Sequence, residues 1–289
     1  MSIERRHPKA KGYYPARSPG RTLNPSPPAS LPAASDSARS VRVVPLPDGE
    51  DTLAVEEPLE IRVEGIAAAV TMRTPGHDLD LTIGFLTTEG VIGPEDALDD
   101  VAAIAQISDN VVDVRLADGM SPARARSADR ALFATSSCGI CGKASTDRIL
   151  RGRSTPLIPL VPTDTLLIRL TETFDAAQVH TRTTGCMHAA ALFNPQGDIL
   201  CIREDVGRHN AVDKVIGAWL RQRPESEFDQ IGLVVTSRAG FEVVQKAITV
   251  GVALVCTVGA PTTLAVEVAQ QSGCGLVGWL RPGRSRRYA

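Results

Sequence analysis

Two thiols three residues apart, Cys138 and Cys141, sit in Thr135-Ser136-Ser137-Cys138-Gly139-Ile140-Cys141-Gly142-Lys143, with a glycine after each and a lysine beyond. One turn of chain can bring such thiols together, so they could share a metal, form a disulfide or pass a sulfur atom. A structural zinc ion needs four ligands. The sequence holds no second CxxC and no His-x3-His, and only Cys186 and His188 could complete a Cys3His set. Zinc-dependent deamination requires His-x-Glu and Pro-Cys-x-x-Cys. Here Ser137 precedes Cys138 and no His-x-Glu occurs. A thioredoxin-like dithiol belongs between a strand and a helix of a small βαβ unit, which these surroundings fit poorly. Persulfide carriage asks for an accessible, low-pKa thiolate, and Lys143 would favour one. The residue types by themselves leave a zinc-stabilised binding module (Cys138, Cys141, Cys186, His188) and a sulfur carrier both open.

The elements that must position these groups follow from periodicity. The segment 1–45 reads as an unstructured tail: Pro8, Pro15, Pro19, Pro25, Pro27, Pro28 and Pro32 interrupt any helix, and only Glu4 and Asp36 oppose its Arg and Lys residues. Its prolines also spoil the amphipathic helix of a transit peptide. The span 46–121 reads as an α+β subdomain. Leu59 to Val63 alternates as a half-buried strand, and Leu79, Ile83 and Leu86 share a helical face that ends near Gly90. Ile104–Ser108 and Val111–Leu116 form a hairpin across Asp109-Asn110. The span 122–154 reads as a long loop carrying the CxxC and passing into a helix near Ala144–Leu150.

The span 155–289 is more regular. A hairpin, His188–Phe193 with Asp198–Arg203, precedes a helix bearing Val212, Val215, Ile216, Trp219 and Leu220 on one face. Strand Ile231–Thr236, helix Phe241–Val250, strand Val252–Val258, helix Thr262–Gln271 and strand Gly275–Leu280 then alternate, which implies a parallel sheet covered on both faces. Ligands of such sheets sit beyond the carboxyl ends of the strands. Those ends carry Arg208, His209, Arg238, Arg281 and Arg284, groups able to hold phosphates. For any one of these arginines a solvated charge is the ordinary role, and it is their gathering on one edge that points to an anionic ligand. His188 and His209 are by type more often structural than catalytic. Asp213 and Lys214 read as surface residues, and Cys201, Cys256 and Cys274 as inert packing.

Composition limits the classes. The chain has 289 residues, is 43% hydrophobic and 22% charged, and carries a formal net charge of -2, which gives no reason to expect nucleic-acid binding. Its apolar runs are too short to span a membrane, and no secretory leader opens it. Six cysteines with one close pair in a chain this long point to reduced thiols and a cytoplasmic setting.

Several segments together resemble the formate dehydrogenase accessory sulfurtransferases, the FdhD-type sulfur carriers. They are Met72 to Gly76, Ile83 to Gly90, Ser137 to Lys143, His188 to Leu192, Arg238-Ala239, Ala260 to Thr262, Leu264 to Glu267 and, most specifically, Arg203-Glu204-Asp205-Val206-Gly207-Arg208-His209-Asn210-Ala211-Val212-Asp213-Lys214. The resemblance runs from about Asp51 to the C-terminus. It implies a cytidine-deaminase-like, three-layer α/β fold with a mixed sheet and a smaller N-terminal β-rich subdomain, usually as a homodimer. It implies a persulfide on Cys138, with Cys141 as partner thiol. The sulfur would come from a cysteine desulfurase and go to the bis(molybdopterin guanine dinucleotide) molybdenum cofactor destined for formate dehydrogenase, without a structural metal.

The stretch Trp279, Leu280, Arg281, Pro282, Gly283 and Arg284 matches the cofactor-contacting segment, and Arg208, His209, Arg238 and His188 join it, with a guanine nucleotide as a mimic of the cofactor. A helix starting near Gly142 would tether Cys141 at its N-terminus and leave Cys138 free to act as the terminal carrier. This sequence departs from the family pattern at Cys186 (glycine expected), Thr236-Ser237 (Ser-Gly), Gly259 (Ser) and Trp279 (Phe).

Overall fold

The computed structural model describes residues 39–93, 101–116, 157, 160–222, 228 and 230–289. Its first hairpin pairs β1 (Val41–Leu46) with β2 (Gly49–Ala54). The first strand therefore begins inside the segment that composition assigns to the tail; residues 1–38 lie outside the described residues, as does the whole 122–154 span.

A four-stranded sheet follows, built from β3 (Glu57–Val63), β4 (Ile66–Arg73), β5 (Val101–Ser108) and β6 (Val111–Leu116) in the order β4-β3-β6-β5. The expected alternation of β3 buries Leu59, Ile61 and Val63 on one face, and the β5–β6 hairpin forms where Asp109-Asn110 turns the chain. Between β4 and β5 lies α1 (Asp78–Thr88), with Asp78 and Asp80 in its first turn facing the positive end of the helix dipole. Gly90 takes a left-handed φ of 74° just past its end.

The second sheet has six strands: β7 (His188–Phe193), β8 (Ile199–Asp205), β9 (Gly232–Val235), β10 (Leu254–Thr257), β11 (Gly275–Arg281) and β12 (Arg284–Arg287), in the order β12-β11-β10-β9-β7-β8. Only β9, β10 and β11 run parallel; the β7–β8 hairpin and β12 pair antiparallel at the two ends. The parallel pairing read from the βαβ rhythm thus covers three strands, and the sheet as a whole is mixed, as the family resemblance implied. The rhythm sees strand–helix–strand crossovers but not the four-residue β12, whose Arg284-Ser285-Arg286-Arg287 carries no hydrophobic period.

Helices α2 (Asp164–Ala177) and α3 (His180–Thr184) precede β7, α4 (Arg208–Gln222) follows β8, and α5 (Phe241–Val250) and α6 (Thr263–Ser272) link the parallel strands. Thr163 caps α2 by accepting the Leu166 N–H, and Thr262 caps α6 by accepting the Ala265 N–H.

One core joins the small sheet (Leu59, Ile61, Val112), α1, α4, α5, α6 and one face of the large sheet (Leu192, Leu233, Val255, Leu276). A second, smaller core packs Leu166, Leu167, Leu170 and Phe174 of α2 on the opposite face, against Phe193, Val234 and Cys256. Helices α1 and α4 lie in closest apposition. A Cβ on Gly84 of α1 would meet the carbonyl oxygen of Asp213, and a Cβ on Gly217 of α4 would meet that of Asp80. Gly217→Ala should therefore lower stability by at least about 2 kcal/mol, the overpacking clash outweighing the gain of about 1 kcal/mol in helix propensity. The shift of the urea unfolding midpoint measures it.

Candidate functional site

The loop between β8 and α4 and the first turns of α4 hold most of the twelve-residue motif from Arg203 to Lys214. Asp205 is fully buried and accepts from four donors: Lys214 Nζ at 2.7 Å, Gly207 N at 2.8 Å, Asn210 Nδ2 at 3.1 Å and Thr74 N at 3.1 Å. Lys214 Nζ also donates to the Thr74 carbonyl at 2.8 Å, and Asn210 Nδ2 to that of Met72 at 2.7 Å. One turn away, the carboxylate of Asp213 takes Lys246 of α5 at 2.9 and 3.0 Å and the Thr88 hydroxyl at 2.7 Å. Lys246 also reaches Glu89 at 3.1 Å. Burial pulls the Lys246 pKa down, but the charges of Asp213 and Glu89 outweigh it, and the net shift is upward.

Asp213 and Lys214, each 1% exposed, are thus not surface residues as their charge suggested. They clamp the β4–α1 connection and α5 onto α4, and removing one partner of such a pair costs about 3–5 kcal/mol. Most of the motif is a scaffold, and the residues it leaves beside the open edge are Arg208 and His209.

His188 opens β7 opposite Asp205 of β8, and its Nδ1 stands 3.3 Å from the Thr236 hydroxyl at the end of β9. Burial pushes the His188 pKa down, Arg208 adds to the fall and Asp205 opposes it. His209 is lowered further, to about 4, by burial first and then by Lys246 and Arg208. Both rings are neutral at pH 7. His209 Nε2 is buried without a hydrogen-bond partner among the described residues.

The rest of the edge is laced by backbone bonds: Gly259 N donates to Ser237 O at 3.1 Å, Thr262 N to Ala239 O at 3.0 Å and Trp279 N to Gly259 O at 3.1 Å. Glycine at position 259 matters, because a Cβ there would lie 2.9 Å from Arg238 Cα. Trp279 adopts a left-handed φ of 57° at a bulge in the β11–β12 ladder, an uncommon backbone for a bulky residue. Its indole N–H donates to the Tyr288 hydroxyl at 3.1 Å, and the Arg284 guanidinium lies 5.2 Å from its ring centroid. Pro282-Gly283 turns β11 into β12, and Arg281 and Arg284 face each other across the ladder. Leu280 departs from its expected role as a contact: its side chain is 3% exposed, in the smaller core, leaving only its backbone at the edge.

The structure therefore groups His188, Arg208 and His209 at one end of the sheet edge. Arg238, Gly259, Trp279 and Arg284 are strung together along the same edge, with Arg208, Arg238, Arg281 and Arg284 all exposed. Cys186 is exposed beyond the left-handed Gly185. Cys201, Cys256 and Cys274 are buried, and burial raises the Cys274 thiol to about 12 and pushes the Cys256 thiol strongly upward as well, out of range of thiolate chemistry. Cys138 and Cys141 lie outside the described residues. Among the described residues no three His, Cys, Asp or Glu side chains converge as metal ligands. No helix there is long and apolar enough to cross a membrane. Sequence reasoning named Thr236 and Asp205 within motifs but gave them no role of their own, and it passed over Lys246. The signals available were the buried register of β7–β9 and the charged residue inside the apolar α5 stripe.

Fold and edge define an α/β protein of three sheets, with two, four and six strands among the described residues, whose largest, mixed sheet ends in a basic, histidine-bearing rim. The chain matches the FdhD/NarQ family over residues 54–289 and belongs to it. It is 44% identical over 250 residues to the sulfur carrier protein FdhD of Streptomyces avermitilis, covering 83% of this chain and 87% of that one. It is 44% identical over 243 residues to that of Mycobacterium tuberculosis, covering 80% and 87%. For Anaeromyxobacter dehalogenans the figures are 42% over 279 residues, 90% and 94%. A solved structure from Desulfotalea psychrophila, described as a candidate formate dehydrogenase accessory protein, shares the fold with a TM-score of 0.63 at 23% identity, over 86% of this chain and 94% of that one.

The depressed His209 pKa sets a pH dependence. The folded group titrates near 4 and the unfolded one near 6.5, so its contribution is complete above pH 6.5 and is lost as pH falls toward 4. Across that window the unfolded chain binds a proton the folded chain refuses, at about 1.4 kcal/mol per pH unit. Urea midpoints at pH 7 and 5 should differ less in His209→Asn than in the wild type.

Proposed function

We propose that this chain is a sulfur carrier: it accepts sulfane sulfur from a cysteine desulfurase as a persulfide on Cys138 and delivers it to the bis(molybdopterin guanine dinucleotide) molybdenum cofactor bound for formate dehydrogenase. The observation that carries the proposal is family membership combined with the Cys138–Cys141 pair in this chain's own sequence. The relatives named sulfur carrier protein FdhD support it at 42–44% identity. In the loading step the Cys138 thiolate attacks the terminal sulfur of the donor persulfide. A new S–S bond forms on Cys138, the donor's S–S bond breaks, and the donor cysteine leaves as thiolate; nothing is oxidised or reduced overall. Cys141 serves as the partner thiol.

The acceptor is a large anion, and the sheet edge suits it. Arg208, Arg238, Arg281 and Arg284 supply exposed guanidinium groups, and the neutral rings of His188 and His209 can each offer an N–H. The segment Trp279 to Arg284 lies on this edge. The setting is the cytoplasm, where thiols stay reduced, and the working form is a homodimer.

Intact-mass measurement after incubation with a desulfurase and cysteine should show added sulfur on the wild type and on Cys141→Ala but none on Cys138→Ala. Sulfur that persists without Cys138 would move the carrier role elsewhere. Arg281→Ala should weaken binding of guanosine diphosphate roughly tenfold or more, the value of one charge-assisted contact. Unchanged affinity in calorimetry would take the nucleotide away from this edge.

A further inference from the structure

The Thr236 side chain stands at the junction of β7 and β9. Its oxygen accepts the Ala189 N–H at 3.0 Å and lies 3.3 Å from His188 Nδ1. The hydroxyl proton has two acceptors within reach: that nitrogen, and the Ala189 carbonyl at 3.5 Å, which already takes the Thr236 N–H at 3.0 Å. The nearer acceptor with an unused lone pair is Nδ1. A ring that accepts at Nδ1 carries its proton on Nε2. His188 is only partly buried and the one hydrogen bond of its ring among the described residues is at Nδ1, which leaves the Nε2 N–H for a ligand.

We propose that Thr236 is a positioning residue whose hydroxyl fixes His188 as the neutral imidazole protonated on Nε2, making the ring a hydrogen-bond donor to an anionic oxygen of a guanine nucleotide bound at this edge. The ligand half of this statement rests on the cofactor reading above; the tautomer half does not. The charged groups facing the ring agree with it. Arg208, from α4, opposes a second proton, and His209 beside it is neutral. Asp205, across the β7–β8 ladder, would favour one, but its carboxylate is already held by Lys214 and three further donors. A donor that needs no protonation grips an anion equally well on either side of neutrality. An ordinary histidine would grip harder as the pH fell.

The test uses the full chain labelled with nitrogen-15 at histidine. Long-range proton–nitrogen spectra near pH 7.5 should show His188 protonated at Nε2 and bare at Nδ1; a proton on Nδ1 overturns the proposal, whether or not a nucleotide binds. Guanosine diphosphate titrations supply the second arm. Thr236→Val keeps the shape and loses the hydroxyl. It should bind roughly two- to tenfold more weakly near pH 7.5, one net hydrogen bond, and its spectra should show a share of His188 rings protonated at Nδ1, since nothing then fixes the tautomer. Thr236→Ser should retain the wild-type affinity and tautomer, which a merely structural loss in the valine variant would not explain. A valine variant with the wild-type affinity and tautomer overturns the positioning role. A wild type that binds no guanosine diphosphate overturns the ligand, while the spectra decide the tautomer on their own.

Discussion

The buried carboxylate of Asp205 is the point through which the two sheets and the site are tied. It sits at the end of β8, and its four donors come from the loop after it, from α4 and from the β4–α1 connection of the other sheet. An isolated charge there would be costly, so the fold must bring all four donors at once or forgo the site. That requirement couples segments far apart in sequence: the end of β4 and Thr74 dock onto Asn210 and Lys214 of α4 through the Met72 and Thr74 carbonyls. Asp205 also lies opposite His188 in the β7–β8 ladder, so the residue these donors hold is the neighbour of the one that presents the ring.

The close approach of α1 and α4 serves the same end. Glycines at the crossing let backbone meet backbone, which puts Asp80 within reach of Arg203, its carboxylate accepting from Nε and Nη2 at 3.0 and 2.9 Å, and of Arg221. It also brings Thr88 and Asp213 together under Lys246. Side chains any larger at Gly84 or Gly217 would push the helices apart and lengthen each of these bonds. The buried charges contribute less to net stability than hydrophobic substitutes could. What they supply is a single arrangement, because a shifted helix would leave several of them unpaired.

Much of the architecture was legible in the sequence where periodicity and turn chemistry agree. The span expected for α5 matches the observed one, α6 is shifted by one residue, and the β5–β6 and β7–β8 hairpins form where their turns were read. The misses share a cause. Strand β12 is exposed and polar, and the tail-side strand β1 is apolar but largely exposed and broken by Pro45, so neither shows a half-buried alternation, and each exists because a neighbour offers a ladder. Asp213 and Lys214 read as surface because charge alone predicts exposure. Their burial is decided by Lys246, Thr88 and Thr74, whose partnership no local window contains. Leu280 was swept into the candidate contact segment by its neighbours, although the bulge between Gly278 and Arg281 turns its side chain into the smaller core that also holds Val277.

What remains after the scaffold is subtracted is a short set of groups with little else to do. Arg208 and His209 lie within a motif whose other polar residues are engaged in holding the fold. Arg238 has its backbone fixed by bonds to Gly259 and Thr262 through its neighbours, while its guanidinium stays exposed. At Trp279 the backbone accepts a left-handed conformation and a break in the ladder, which re-aims the indole so that Arg284 stacks over it. A protein optimised only for stability would place glycine or asparagine at such a position. That a bulky aromatic residue is held there, beside a guanidinium and a tyrosine hydroxyl, is the kind of local cost that a ligand-facing surface explains and a structural edge does not.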